Sequence, residues 1–74
     1  MEQTNDLLLR TAARLYSVGI EVEAAREHLK QLVREGVSYE DARMNLALEE
    51  YQTLFSLWSG LETQYLEMKK QLEE

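Results

Sequence analysis

The longest regular pattern of apolar residues runs through the second half of the chain. Apolar or small residues recur there at alternating steps of three and four, the heptad spacing of a helix that packs along one face. The members of this long seam are Met44, Ala47, Tyr51, Leu54, Trp58, Leu61, Tyr65, Met68 and Leu72. The pattern predicts one helix over residues 39–73, about 50 Å long at about 1.5 Å per residue. Gly60 lies inside the pattern and is predicted to be internal to this helix.

Two shorter apolar stripes precede the long seam. One predicts an amphipathic helix over residues 21–35, and the other predicts a helix over residues 5–18 that Asn5 or Asp6 caps. Their apolar members are Val22, Ala25, Leu29 and Leu32 in the first case, and Leu8, Ala12 and Leu15 in the second. Each stripe alone is too short to cover the long helix. If both run antiparallel to that helix, together they span its length.

Gly36 predicts the turn between the two halves of the chain. Placed just beyond the end of a helix, it lets Val37 pack back on Leu32, as in a Schellman motif. Ser38 then predicts the cap of the long helix, with Asp41 as the acid of a capping box.

Gly19 leaves two alternatives open for the first arm. It fits the same helix-end pattern, but no capping residue follows it. A glycine inside a helix costs only about 1 kcal/mol relative to alanine, so packing could carry a bent helix through it. In the antiparallel register Gly19 faces Phe55, where the missing side chain makes room for the ring.

The pattern therefore predicts an all-α protein with a single domain over residues 1–74. The expected architecture is an antiparallel helical hairpin whose first arm is bent or broken at Gly19, with helices at about 5–18, 21–35 and 39–73. A chain this small buries little surface, and its apolar residues span more than one face of the long helix. We therefore expect two hairpins to dimerise into a helical bundle. The candidate interface residues are Tyr51, Leu54, Phe55, Trp58, Leu61, Tyr65 and Met68.

Composition narrows the function classes. The 74 residues include no proline, no cysteine and three glycines. The absence of cysteine excludes a disulfide framework and a thiolate metal site, which favours a cytoplasmic protein. Neither a signal peptide nor a membrane span is expected. Eight basic and fourteen acidic residues give a net charge of −6, concentrated in the second half, which disfavours nucleic acid and anionic membranes as partners.

The sequence contains few residue patterns that are typical of catalytic sites. His28 is the single histidine, and no Glu-x-x-His pattern, phosphate-binding glycine loop or nucleophile elbow occurs. We therefore predict no catalytic, cofactor or metal site and no enzymatic activity.

Basic residues recur every four positions at Arg26, Lys30 and Arg34. Such a stripe could bind phosphate, but Glu23 and Glu27 stand three residues before the first two, where ion pairs form on a helix surface. In the antiparallel register the stripe is also expected to approach the acidic pair at residues 49–50. Ion pairing with these carboxylates is the simpler interpretation of the basic stripe.

The layout Arg26-x-x-Leu29-x-x-Leu32, a short turn and a second helix resembles the small bacterial sporulation-type aspartyl-phosphate phosphatases. The Ser-Gln-x-Leu-Asp stretch of that family falls on residues 45–49, where Leu48 matches and Glu49 replaces the aspartate. The resemblance covers less than half of the chain and carries no site residue over. It implies phosphatase activity as a minor alternative.

Two further functions compete. The leading hypothesis is a non-enzymatic, homodimeric interaction protein of bacterial or phage type, which docks a protein partner through its apolar seam or its acidic helix. The other is an acidic inhibitor that mimics nucleic acid and occupies the basic groove of its target. This second idea rests on residues 44–68, which hold four acids and no base.

Overall fold

The chain forms a hairpin of two long helices in a computed structural model. Helix α1 spans Glu2–Arg34, helix α2 spans Ala42–Glu73, and residues 35–41 connect them. The structure describes the backbone of residues 2–73 and the side chains of residues 6–73. The hairpin is a rod with extents of 52 × 15 × 14 Å. The predicted all-α helical hairpin is confirmed.

Helix α1 is continuous through Gly19, so of the two alternatives left open there the structure shows one helix rather than separate helices over residues 5–18 and 21–35. The two short stripes are parts of one heptad pattern, because Thr11 and Val18 fill the positions between them and are 9% and 7% exposed. The complete α1 seam is Leu8, Thr11, Leu15, Val18, Val22, Ala25, Leu29 and Leu32. The helix also begins before residue 5, so Asn5 and Asp6 are not its caps, and the Asp6 carboxylate pairs with Arg10 at 3.1 Å.

The core is the contact between the α1 seam and the long seam. Near the turn, Leu32, Met44 and Ala47 form one buried cluster, and Met44 and Ala47 are each 2% exposed. A second cluster further along the rod consists of Val18, Val22 and Leu61, with Leu15, Tyr51, Leu54 and Trp58 packed against it. Of the long seam, Leu72 is exposed, and the other positions are buried or half-buried. Each helix therefore buries one stripe.

Gly36 ends α1 in the predicted Schellman motif. The Val37 N–H donates to the carbonyl of Leu32, and the Gly36 N–H donates to the carbonyl of Val33, both at 3.0 Å. Gly36 has a φ of 76°, the left-handed conformation that this motif requires and that side chains disfavour. Val37 packs against the cluster around Leu32, as the sequence predicts.

The cap of α2 is Asp41 rather than Ser38, so the predicted start at residue 39 is wrong. The Arg43 N–H donates to Asp41 Oδ1 at 2.9 Å, and the Asn45 N–H donates to the Asp41 carbonyl at 3.1 Å. Ser38 instead closes a tight turn, because its Oγ accepts from the Glu40 N–H and its carbonyl accepts from the Asp41 N–H. The Arg43 guanidinium also donates to both Asp41 oxygens, at 3.2 and 3.1 Å.

The later start of α2 shifts the pairing of the two helices. Gly19 lies opposite Trp58 rather than Phe55, a displacement of three residues that matches the delay of the helix start from residue 39 to Ala42. At the far end of the rod, the Thr11 hydroxyl donates to the sulfur of Met68 at 3.7 Å. The length of the turn thus sets the register along the whole hairpin.

Two glycines provide a matched test of this backbone. A Cβ at Gly36 or at Gly60 would meet no heavy atom within 4 Å, so a difference between their alanine variants reports conformation rather than packing. We expect Gly36→Ala to destabilise the protein by about 1 kcal/mol because of its positive φ. Gly60→Ala should stabilise it by roughly 0.5–1 kcal/mol, since alanine is the better helix former. Urea unfolding followed by circular dichroism measures both, and equal effects would contradict the assigned turn.

Asp41 predicts a pH dependence. The hydrogen bond from the Arg43 side chain, reinforced by the Arg43 backbone N–H, lowers the pKa of the Asp41 carboxyl. Its contribution to stability is therefore complete above the unfolded-state pKa of about 3.9 and is lost as the pH falls through the lowered folded-state pKa. We expect Asp41→Ala to lower the melting temperature by a few degrees at neutral pH, and this difference should shrink in acid. The control Ser38→Ala should lower the melting temperature less than Asp41→Ala does. A larger decrease for Ser38→Ala would show that Ser38 is the cap.

Candidate protein-interaction surfaces

The candidate interface residues on the long seam face α1. Leu61 is 8% exposed, and Tyr51, Leu54, Trp58, Tyr65 and Met68 are half-buried. Phe55 lies beside the seam and is 46% exposed. The aromatic residues thus have an inner edge in the hairpin core and an outer edge toward solvent.

A groove follows one side of the hairpin from Ala12 to Arg34, and we call it the aromatic groove. It consists of three neighbouring depressions of about 610, 230 and 420 Å³, which share lining residues. Five of the six aromatic residues of the chain line it: Tyr16, Tyr51, Phe55, Trp58 and Tyr65. Such rigid, amphipathic side chains dominate the energetics of protein interfaces.

Gly19 shapes the middle of the aromatic groove. A Cβ placed on it would lie 3.2 Å from Nε1 and 3.6 Å from Cδ1 of Trp58, so the indole occupies the space that a side chain would take. On α2, Phe55 stands within one turn of both Tyr51 and Trp58, with ring centroids 5.9 and 6.2 Å away. These spacings of four and three residues place the three rings on one side of the helix.

Helix α1 contributes residues that the sequence analysis did not assign to a site. Tyr16 and Ile20 line the aromatic groove and are 73% and 55% exposed. Val33 lines its end near the turn and is 60% exposed. A signal for Tyr16 and Ile20 exists in the sequence, because they are large apolar residues four positions apart that lie outside the α1 seam.

A second groove of about 610 Å³ lies on the other side of the hairpin, and we call it the acidic groove. Its lining residues are Glu21, Ala24, Leu46, Glu49, Glu50, Thr53 and Leu54. The two grooves are on opposite sides, since Leu46 and Phe55 are nine residues apart, about two and a half helical turns. Leu46 is 65% exposed, and Leu57, on the same side of α2, is 42% exposed. Three carboxylates therefore surround an apolar floor.

The basic stripe lines the turn end of the aromatic groove. The predicted pairs along α1 are present, with Arg26 3.8 Å from Glu23 and Lys30 3.3 Å from Glu27. The expected approach of the stripe to residues 49–50 is wrong, because these carboxylates line the opposite groove. The two sides of the hairpin consequently differ in charge.

Groups for metal binding do not assemble in the described part of the chain. No three His, Asp or Glu side chains of residues 6–73 lie close enough together to hold a metal ion, and His28 is exposed. Neither helix, over its described residues, contains a stretch long and apolar enough to cross a bilayer. The aromatic groove and the acidic groove are therefore the candidate functional surfaces of the described residues.

Comparison with known proteins identifies no relative. The chain matches no protein-family model, no curated protein and no solved structure. In the segment that resembles the aspartyl-phosphate phosphatases, Ala47 is 2% exposed in the core and Glu49 is exposed in the acidic groove. Any proposal of function therefore rests on the geometry of the hairpin.

Substitution of Gly19 tests the close approach of Trp58. Gly19→Ala gains the helix propensity of alanine, about 1 kcal/mol, but its methyl group forces the indole to move by a few tenths of an ångström. We expect it to stabilise the protein less than the control Gly60→Ala and to change the fluorescence of Trp58, the single tryptophan. Equal stabilisation with an unchanged emission spectrum would show that Trp58 does not pack on Gly19.

Proposed function

We propose that the protein is a non-enzymatic interaction module of bacterial or phage type that acts in the cytoplasm as a homodimer and docks a protein partner. The observation that carries this proposal is the amount of apolar surface outside the core. Large apolar side chains on both sides of the rod remain 42–75% exposed, among them Tyr16, Ile20, Leu46, Phe55, Leu57 and Leu66. Contiguous exposed apolar surface bordered by polar residues is typical of interaction sites.

The acidic groove is the surface that best fits the docked partner. The long seam packs against α1, which favours the acidic helix over the seam as the surface that docks the partner. Its groove combines exposed Leu46 with the carboxylates of Glu21, Glu49 and Glu50. An amphipathic helix with basic residues flanking its apolar face would satisfy both features.

Mimicry of nucleic acid is supported less well by the distribution of charge. Glu49 and Glu50 line the acidic groove and Glu67 lies five turns beyond Glu49 on the same side of α2, whereas Glu62 lies two turns beyond Phe55, on the aromatic side. A mimic of a phosphate backbone needs its charges along one face. We therefore favour the interaction module.

Charge reversal distinguishes these two functions. We expect a tagged chain to retain its partner from the native cell lysate and the double variant Glu49→Lys/Glu50→Lys to lose at least about tenfold in affinity. The control Glu62→Lys/Glu67→Lys carries the same charge change at residues that do not line the acidic groove, and it should retain the partner. Retention that is insensitive to both pairs would contradict docking through the acidic groove. Equal loss in both, with DNA-binding or RNA-binding proteins as the captured species, would favour mimicry.

A further inference from the structure

We infer that the aromatic groove is the surface on which a second copy of the chain docks, antiparallel to the first, with the two-fold axis crossing the rod near Gly19 and Trp58. This inference rests on the proposed homodimer and adds which face it uses and in which orientation. Four observations carry it: the surface area, the position of the groove, the charge at its turn end and the charge of the opposite side.

The hairpin exposes more surface than a monomer of its size. Its accessible area is 5872 Å² at a mass of 8.7 kDa. A monomeric globular protein of that mass exposes about 4,700 Å². The excess of about 1,100 Å² exceeds the area of about 800 Å² that each partner buries in a standard interface. One standard contact between two hairpins would remove most of this excess.

The aromatic groove is placed for a symmetric contact. A two-fold interface presents the same patch on both copies, so the patch must complement itself about a central point. Gly19 lies near the midpoint of α1, which spans Glu2–Arg34, and Trp58 lies near the midpoint of α2, which spans Ala42–Glu73. Ile20 and Phe55, both largely exposed, flank this centre. A perpendicular two-fold axis therefore brings the apolar centres of the two copies together.

The charge at the turn end selects the antiparallel orientation. Arg26, Lys30 and Arg34 all lie on the turn side of Gly19, and Arg26 also lines the central depression of the groove. A parallel dimer would bring two such stripes together, and like charges across an interface are destabilising. In the antiparallel dimer they lie on opposite sides of the two-fold axis. At about 1.5 Å per residue, each of these residues is about 21 to 45 Å along the rod from its counterpart, which is beyond the Debye length of about 8 Å at physiological salt.

The acidic groove is less suited than the aromatic groove to contact a second copy, because of its charge. Docking two acidic grooves would place the carboxylates of Glu21, Glu49 and Glu50 against those of the second copy. The aromatic groove contains one carboxylate, Glu23, which pairs with Arg26 at 3.8 Å. Use of the aromatic groove in the dimer also leaves the acidic groove open for a different protein.

Sedimentation with matched variants tests the face. The double variant Ile20→Glu/Phe55→Glu changes side chains 55% and 46% exposed in the aromatic groove, and the control Leu46→Glu/Leu57→Glu changes side chains 65% and 42% exposed on the other side. We expect the first to weaken dimerisation at least about 100-fold and the control to change it by less than about fivefold. Circular dichroism at matched concentrations checks that both remain helical.

Spin labelling tests the orientation without disturbing the groove. The chain has no cysteine, so Ser38→Cys gives one label, in the connection between the helices. In an antiparallel dimer the two labels lie at opposite ends of the rod, close to 52 Å apart. In a parallel dimer they lie within about 25 Å, two helix diameters. Pulsed electron resonance measures distances in this range.

The outcomes separate this inference from the proposed function. A dimer that resists Ile20→Glu/Phe55→Glu, or one that dissociates in the Leu46→Glu/Leu57→Glu control, overturns the assigned face while the homodimer stands. A short distance between the Ser38→Cys labels overturns the orientation. A wild-type chain that is folded and monomeric at micromolar concentration overturns both the inference and the homodimer. Should the groove variant lose its helicity, the Leu46→Glu/Leu57→Glu variant still tests the face, because its dissociation overturns the assignment, and the label distance tests the orientation.

Discussion

The pairing of two heptad seams is the interaction on which the rest of this protein depends. A helix in a two-helix rod has one neighbour, so it can bury one stripe of side chains and no more. The buried apolar residues accordingly lie on the two seams: Val18, Val22, Ala25, Leu32, Met44, Ala47 and Leu61. Every other large apolar side chain of residues 6–73 is left partly or wholly in contact with water. Because each helix can bury only one stripe, apolar side chains on both sides of the hairpin remain available for contact with other molecules.

The exposed surfaces on the two sides of the core differ in the types of residue that form them. The neighbours of the core on the aromatic side are rings and a glycine, whereas those on the acidic side are leucines and carboxylates. This asymmetry lets one small hairpin offer a self-complementary face and a charged face at once. A dimer built in this way would present its two acidic grooves outward, giving a bivalent binding particle from a chain of 74 residues.

The parts of the fold that depend on local sequence could be predicted. The heptad spacing of the long seam defines α2, and the Gly36-Val37 pair defines the turn, because each signal is complete within a few residues. Gly19 could not be resolved in this way, since its effect depends on Trp58, which lies on the other helix. The cap of α2 could not be assigned from the sequence, because Ser38 and Asp41 are both good capping residues. The hydrogen bonds from the Arg43 side chain to Asp41 favour Asp41, and no sequence pattern indicates them.

The candidate site was only partly predictable for a related reason. Helical spacing marks Tyr51, Phe55 and Trp58 as candidates, but hydrophobicity alone does not distinguish an aromatic residue of the core from one at an interface. In the hairpin, Tyr51 and Trp58 have one edge in each environment. Which α1 residues stand beside them depends on the register, which the connection sets three residues away from the expected pairing.

The tight connection between the helices also has a consequence for how the chain reaches this structure. Contacts near Gly36 join residues close in sequence, whereas the Thr11–Met68 contact closes a separation of 57 residues. Each doubling of such a loop costs about 0.6 kcal/mol of additional chain entropy. Folding should therefore start at the connection and zip toward the other end of the rod. The contact between Thr11 and Met68 is then among the last to form and the first to open.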